Sequence, residues 1–441
     1  SVSTLEETPL AFTGGNQIQI GDADAASGEM RVQLNVGAGG LLTLGDTTGL
    51  IFDAGDGLAD ANMVFRGSLT DINNALLTLT FAPTTDYAGT VNVTIVANDQ
   101  GNTGQDPGTT GDATSEQDSD TVVITVNAVN DAPVRTAGTV AILTVGEDSG
   151  FTSLGLAGVT YSPGGGLDES GQTLTYQVTV IPDPVNFGRI YLADGTTQVT
   201  TGTYTLTQIR GMQFQTAADA TGTSFFSYRI ADDGGTANGG ADTLTETIQI
   251  DITPLNDAPH IDLNGAGAGT DFTASWSQSG GAVSIVDATA TVGDIDSANF
   301  QSITITITDL QNGTNELLTV DTTGTSISTA TLGGGSTLVL TGPDLVANFR
   351  QVLRTLQYDN TALLPFGTSR SLTVVATDGS DTSNIANITI NFSLTNLDPT
   401  ITFGQGNKSY DENDPPLVID SSITVSDTDP INFDGGTLTV D

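Results

Sequence analysis

The chain has 441 residues, with 52 Asp and Glu against 10 Lys and Arg and a formal net charge of −42. Such a charge repels nucleic acid and anionic membrane, and it opposes compaction unless cations offset it; an acidic, salt-exposed surface also fits it. With no cysteine, disulfides and thiolate metal sites are excluded, and no apolar run is long enough to span a bilayer.

Residues 1–130 read as a first β-rich unit. Leu5-Glu6-Glu7-Thr8-Pro9 opens it, and the alternation Gln17-Ile18-Gln19-Ile20 predicts a strand that ends in Gly21-Asp22-Ala23-Asp24. Strands follow over 30–36 and 41–44, punctuated by Gly and Thr. Ser68 to Leu76 breaks the two-residue period: with Ser68 or Thr70 as cap and Leu69, Ile72 and Leu76 on one face, it predicts a short helix. Strands over 77–81 and 91–97 lead to Asn98-Asp99, a Gly-, Thr- and Asp-rich loop to 119, and a last strand over 121–126.

The tag Asn130-Asp131-Ala132-Pro133 closes this unit and returns as Asn256-Asp257-Ala258-Pro259 and, altered, as Asn396-Leu397-Asp398-Pro399. Its aspartates are 126 and 141 residues apart, the length of a whole sandwich domain. Residues 131–256 repeat the order, with Glu147-Asp148, Asp168-Glu169, a helix near Leu206 to Ile209, and a strand that ends at Asp232-Asp233. Residues 257–397 give Asp294-Ile295-Asp296, a helix predicted from Pro343 to Leu353 that buries Leu345, Phe349, Val352 and Leu353, and Asp378. Residues 398–441 start a fourth unit, with Glu412 and Asp427-Thr428-Asp429, and the chain is expected to be cut from a longer one.

Pro in each tag fixes φ and holds the preceding residue extended, so the tags read as stiff joints. Their oxygens, and those of the Asp-x-Asp pairs, are hard donors suited to Ca²⁺. The alternative role for such aspartates is turn and cap chemistry.

The early Glu, the Asp-x-Asp sixteen residues on, the acid that ends a late strand and the Asn-Asp-Ala-Pro joint recur in one order. Together they resemble the cadherin-like tandem repeats of giant bacterial surface proteins, many of them RTX-type adhesins. The resemblance covers essentially the whole chain and implies an all-β fold: tandem cadherin-like (Ig-like) β-sandwiches in an extended rod, each with one short helix. It also implies calcium between modules. Carried over, the first joint would use Glu6 or Glu7, Asn130, Asp131, Asp168, and Asp232 or Asp233. The second would use Glu147 or Asp148, Asn256, Asp257, Asp294, Asp296 and Asp378, and the third Asn396, Asp398, Asp427 and Asp429. Asp22, Asp24 and Asp99 would face a preceding module, and Glu412 a following one. The chain departs from the cadherin linker by carrying Ala128 and Pro254 at its first position. It lacks an Asp-Arg-Glu-like motif, and Ser277-Gln278 stands where the third early Glu belongs. Fewer ions per joint and a weak third joint are therefore expected.

Asp53 to Asp60 lacks the EF-hand spacing and reads as an acidic hairpin turn. The only histidine, His260, follows the second tag as a solvent-facing residue, so catalysis has no support. The only tryptophan, Trp276, reads as core or interface packing. The expected role is a non-enzymatic, calcium-stiffened stalk or spacer of a secreted, extracellular bacterial surface adhesin. Its partners would be calcium and adjacent repeats of the same chain, with no nucleic acid and no direct membrane insertion. A self-assembling subunit of a surface layer, sheath or filament, which would contact copies of itself, and a carbohydrate-binding module are the alternatives.

Overall fold

A computed structural model describes residues 1–22, 28–100, 117–395, 398–404 and 406–426. Of the residues expected at metal sites, Asp24, Asn396, Asp427 and Asp429 lie outside the described residues. The chain divides into two compact units, Ser1–Pro254 and Leu255–Asp441, and the fold is all-β, built of sheets packed face to face.

In the first unit, Met30, Val32, Leu34 and Val36 alternate inward along the strand Glu29–Val36, as a half-buried strand requires. That strand is central in a six-stranded sheet ordered Val2–Leu5, Gln117–Asn127, Gly89–Asn98, Glu29–Val36, Asn62–Ser68, Ile51–Ala54. A three-stranded sheet of Leu10–Ala11, Leu79–Pro83 and Gly40–Leu44 completes the sandwich, with Phe12, Phe65 and Phe81 buried in its core. The short helix is α1 (Leu69–Leu76), whose first turn is capped by Ser68 Oγ accepting the Asp71 N–H at 3.1 Å. Residues 17–20 form no strand. The Asn73 amide takes both backbone groups of Ile20, accepting its N–H and donating to its carbonyl at 3.0 Å each, so the segment is tied to α1 instead of a sheet.

The second half of this unit repeats the plan. A five-stranded sheet runs Leu143–Gly146, Thr243–Thr253, Gly222–Ala231, Thr175–Val180, Gly202–Tyr204, and a three-stranded one runs Thr152–Ser153, Gln213–Thr216, Gly188–Tyr191. Its helix, α2 (Leu206–Arg210), starts with a capping box between Thr205 and Gln208.

The second unit holds a six-stranded sheet ordered Phe272–Ser277, Ala386–Ser393, Ser369–Thr377, Asn299–Ile307, Thr337–Leu345, Ser328–Leu332. A three-stranded sheet of Val283–Ser284, Gln357–Asn360 and Glu316–Thr319 faces it. Helix α3 (Val346–Leu353) is shorter than its sequence predicts: Pro343 lies in the preceding strand and Leu345 is 52% exposed. Asp344 sets that start, since its carboxylate accepts the N–H groups of Leu345 and Ser326 and the amide of Asn348. Phe349, Val352 and Leu353 are buried as predicted. His260 is exposed, in a short strand paired with Thr291–Gly293. Trp276 is core, with its ring N–H donating to Asp359 Oδ1 at 3.1 Å.

Beside Trp276 the core holds an ion pair that sequence patterning does not reveal. Arg370 (0% exposed) donates to both oxygens of Glu316 (1% exposed) at 2.7 and 2.9 Å and to Asn312 Oδ1 at 2.9 Å. Tyr358 Oη and the N–H groups of Gln311 and Asn312 satisfy the rest of the carboxylate, and Phe392 lies under the guanidinium. Burial works against the Glu316 charge, but Arg370 and these donors outweigh it and hold its pKa below the usual value.

Candidate metal centre

In every sandwich the first strand of the larger sheet pairs in parallel with its last, in the registers Leu5↔Asn127, Gly146↔Thr253 and Ser277↔Ser393. The next residue is thereby fixed at the sandwich end: Glu6, Glu147 and Gln278 each donate their N–H to the strand partner's carbonyl. A carboxylate of Glu6 then accepts the N–H of Val129, at the start of the linker. Glu7 follows with φ of 59°, the left-handed region that turns its side chain back over the end. Asp86, three residues past the strand Leu79–Pro83, has φ of 56° and meets Glu7 there. The same pair recurs at the end of the second sandwich. Asp148 (φ 55°) and Asp219 (φ 54°) stand in the places of Glu7 and Asp86, and the Asp219 N–H donates to Asp148 Oδ1 at 3.1 Å.

The linker and the second sandwich supply the rest of the first centre. The Asp131 N–H donates to Glu169 Oε1 at 2.6 Å. Asn130 donates to Asp232 Oδ1 at 3.0 Å and to the Ala241 carbonyl, and it accepts from Gln172 at 2.7 Å. Carboxylate oxygens of Glu7, Asp86 and Asp131 lie within 4.8 Å of one another. Of the alternatives Asp232 and Asp233, Asp232 faces the linker, whereas Asp233 accepts the N–H of Thr173. Asp53 is held by Arg66 and Arg31 and Asp60 caps its own turn, so the 53–60 loop is a hairpin turn.

Two observations fit a cation here. Glu169 is 2% exposed, and its Oε2, like Asp232 Oδ2 and Gln172 Oε1, is buried with no hydrogen-bond partner, which is costly for an anionic oxygen unless something else satisfies it. The acids also repel one another. Burial first, then neighbouring carboxylates, raises the pKa of Glu6 (beside Asp168 and Asp131), Glu7 (beside Asp131 and Asp86), Asp131 (beside Asp86 and Asp168) and Glu169 (beside Asp131, Asp168 and Asp232). No ion pair among the described residues reaches this cluster. Hard carboxylate and amide oxygens in this number suit Ca²⁺, which takes roughly 6 to 8 oxygens at about 2.3–2.6 Å.

The N-terminal end of the second unit carries a related set. The Asp257 N–H donates to Asp296 Oδ2 at 3.3 Å, as Asp131 does to Glu169. Asn256 donates to Asp381 at 2.8 Å, as Asn130 does to Asp232. Asp294 Oδ2 and Asp378 Oδ2 are buried without hydrogen-bond partners. Burial and the adjacent Asp296 raise the pKa of Asp294. Burial also acts on Asp378, but the N–H groups of Asp381 and Ser380 outweigh it and lower its pKa. Asp22 precedes and Asp99 follows the adjacent strands Glu29–Val36 and Gly89–Asn98, at the opposite end of the first sandwich from Glu6.

The end of the third sandwich is different in kind. Gln278 occupies the place of Glu6, accepting the Thr395 N–H at 3.0 Å, while its amide donates to the carbonyl of Leu363 at 2.8 Å. Leu363 itself stands three residues past its strand, where the first two ends carry Asp86 and Asp219. Asp398 and Glu412 are exposed. Sequence reasoning missed Asp86, Asp219 and Asp381 and used Glu169 only as the partner of Asp168. The signal for Asp86 and Asp219 was available, as an acid three residues beyond a strand in both repeats.

No protein-family model matches the chain, and no curated protein sequence matches it. Among solved structures it is similar to mouse cadherin-23 EC22-24, at 14% identity and a TM-score of 0.32 over 89% of this chain and 95% of that one. It is similar to mouse protocadherin-24 EC1-3 at 11% and 0.31, over 81% and 90%. A third likeness is to the human desmocollin-1 ectodomain at 14% and 0.27, over 90% of this chain and 61% of that one. At these scores the likenesses carry no argument about what the chain binds. Among the described residues no helix is long and apolar enough to cross a membrane.

Proposed function

We propose that this chain is a non-enzymatic, calcium-stiffened stalk or spacer of a secreted bacterial surface adhesin, built of cadherin-like repeats over 1–130, 131–256 and 257–397 and the start of a fourth over 398–441. The observation that carries the reading is the gathering of Glu6, Glu7, Asp86, Asp131, Asp168, Glu169 and Asp232 from two sandwiches and their linker, with buried carboxylate oxygens left unsatisfied. Glu7, Asp86, Asp131, Glu169 and Asp232 would hold the ion, with Asn130 orienting Asp232. Bound calcium would cancel the mutual repulsion and tie the linker to both sandwiches. The end with Glu147, Asp148 and Asp219 and the end with Asp257, Asp294, Asp296 and Asp378 are each proposed to take calcium as well.

The test is a melting and scattering comparison of the full chain in calcium and in EDTA. A cation at 100 times its dissociation constant adds about 2.7 kcal/mol to the state that binds it. Calcium should raise the first transition and stiffen the chain. An EDTA-treated chain with the same melting temperature and the same maximum dimension would refute the reading, and ordered polymers in calcium would favour a self-assembling subunit.

A further inference from the structure

Three consecutive glycines cross the first metal centre, and each abuts a different part of it. A Cβ at Gly164 would lie 2.3 Å from the Ala132 carbonyl oxygen in the linker. One at Gly165 would lie 2.4 Å from Glu169 Oε2 and 3.0 Å from Asp131 Oδ2. One at Gly166 would lie 2.2 Å from the carbonyl oxygen of Asp86, in the first sandwich, and 3.1 Å from Asp168 Oδ1. Gly164 and Gly165 have φ of +111° and +43°, so backbone conformation alone accounts for glycine there. Gly166 has no such φ, and its requirement is one of space.

The Gly166 contact crosses from the second sandwich to the turn that carries Asp86. A carbon and a carbonyl oxygen approach to about 3.3 Å at closest, so a methyl group at Gly166 must push the Asp86 turn away by roughly 1 Å. The obstacle is backbone, which has no rotamer to escape into. Ligand distances in a calcium site tolerate a few tenths of an ångström, so that displacement removes the Glu7 and Asp86 oxygens from a site shared with Asp131. Gly171, five residues on, has nothing within 4 Å of its Cβ position.

We propose that Gly166 is a positioning residue of the first metal centre: it seats the Asp86 turn directly on the second sandwich and thereby sets the reach of Glu7 and Asp86 to Asp131. The proposal rests on the calcium reading of that centre.

The test is calcium titration of the full chain as wild type, Gly166→Ala, Gly171→Ala and Asp131→Asn, the last marking which binding class belongs to this centre. The near-ultraviolet signal of the Tyr161, Tyr176 and Tyr228 cluster in EDTA reports the integrity of the second sandwich. Gly166→Ala should weaken that class at least tenfold with the tyrosine signal in EDTA unchanged, and Gly171→Ala should match wild type. Wild-type affinity in Gly166→Ala overturns the proposal and leaves the calcium reading standing. Loss of the tyrosine signal in EDTA also overturns it, since Gly166 would then serve the sandwich itself. A wild-type chain that binds no calcium defeats the calcium reading, and the proposal with it.

Discussion

Replacing Arg370 with methionine in the third sandwich keeps most of the side-chain volume and removes the charge. Glu316 would then be an ion with no counter-charge at a position 1% exposed, its five donated hydrogen bonds reduced to the three from Tyr358, Gln311 and Asn312. Breaking a buried pair from one side costs about 3–5 kcal/mol, and Asn312 Oδ1 also loses one of its donors. A change of 1 kcal/mol moves the melting point of a domain this size by roughly 3–5 °C, so the transition of the third sandwich should fall by about 10–20 °C. Calorimetry of the full chain resolves it if the other transitions stay in place. The double change Arg370→Met with Glu316→Leu should recover part of the loss, because an apolar pair avoids the stranded charge. A single variant that melts within about 3 °C of wild type, a cost under roughly 1 kcal/mol, would refute the reasoning.

Glu169→Gln should weaken calcium binding at the first centre at least tenfold in titration calorimetry, whereas Asp233→Asn, at a carboxylate engaged with the Thr173 N–H, should leave it unchanged. Gln278→Glu sets a carboxylate against the Leu363 carbonyl that the amide now donates to. It should cost about 1–2 kcal/mol in EDTA by thermal melting. Glu316 has a folded pKa below its ordinary 4.5, so the stability it contributes is fully present above about pH 4.5. That contribution is lost only as pH falls through the lowered value; melting of the third sandwich between pH 7 and pH 5 should show no dependence from this group.

The repeat order was legible because it is written in local patterns. Alternation in Met30 to Val36 and the Ser68 cap point to elements that the chain forms. Gln17 to Ile20 has the same alternation, and there a single distant side chain, Asn73, captures the backbone first. The helix boundary at Val346 was hidden for a similar reason, since Asp344 ends the strand through contacts to Ser326 and Asn348. At the proposed first centre, the recurrence of the tag singled out Asn130 and Asp131, which the structure places beside Asp232 and Glu169. Asp86 recurs as Asp219, three residues past a strand in both repeats, but its meeting with Glu7 depends on a left-handed turn, and its contact with Gly166 on the fold, neither of which that spacing shows. The Glu316–Arg370 pair is 54 residues apart in the chain and single in occurrence, so no periodicity marks it.

Calcium titration of the full chain against its Asp131→Asn variant, both stripped with EDTA beforehand, tests the central claim most directly. At about 1 mM calcium, the range of extracellular modules, wild type should bind ions with a rise in melting temperature. Asp131→Asn should lose one binding class while its EDTA melting profile stays at or above that of wild type, because one of the repelling carboxylates is gone. Identical binding by the two proteins, or no binding by either, would contradict the account.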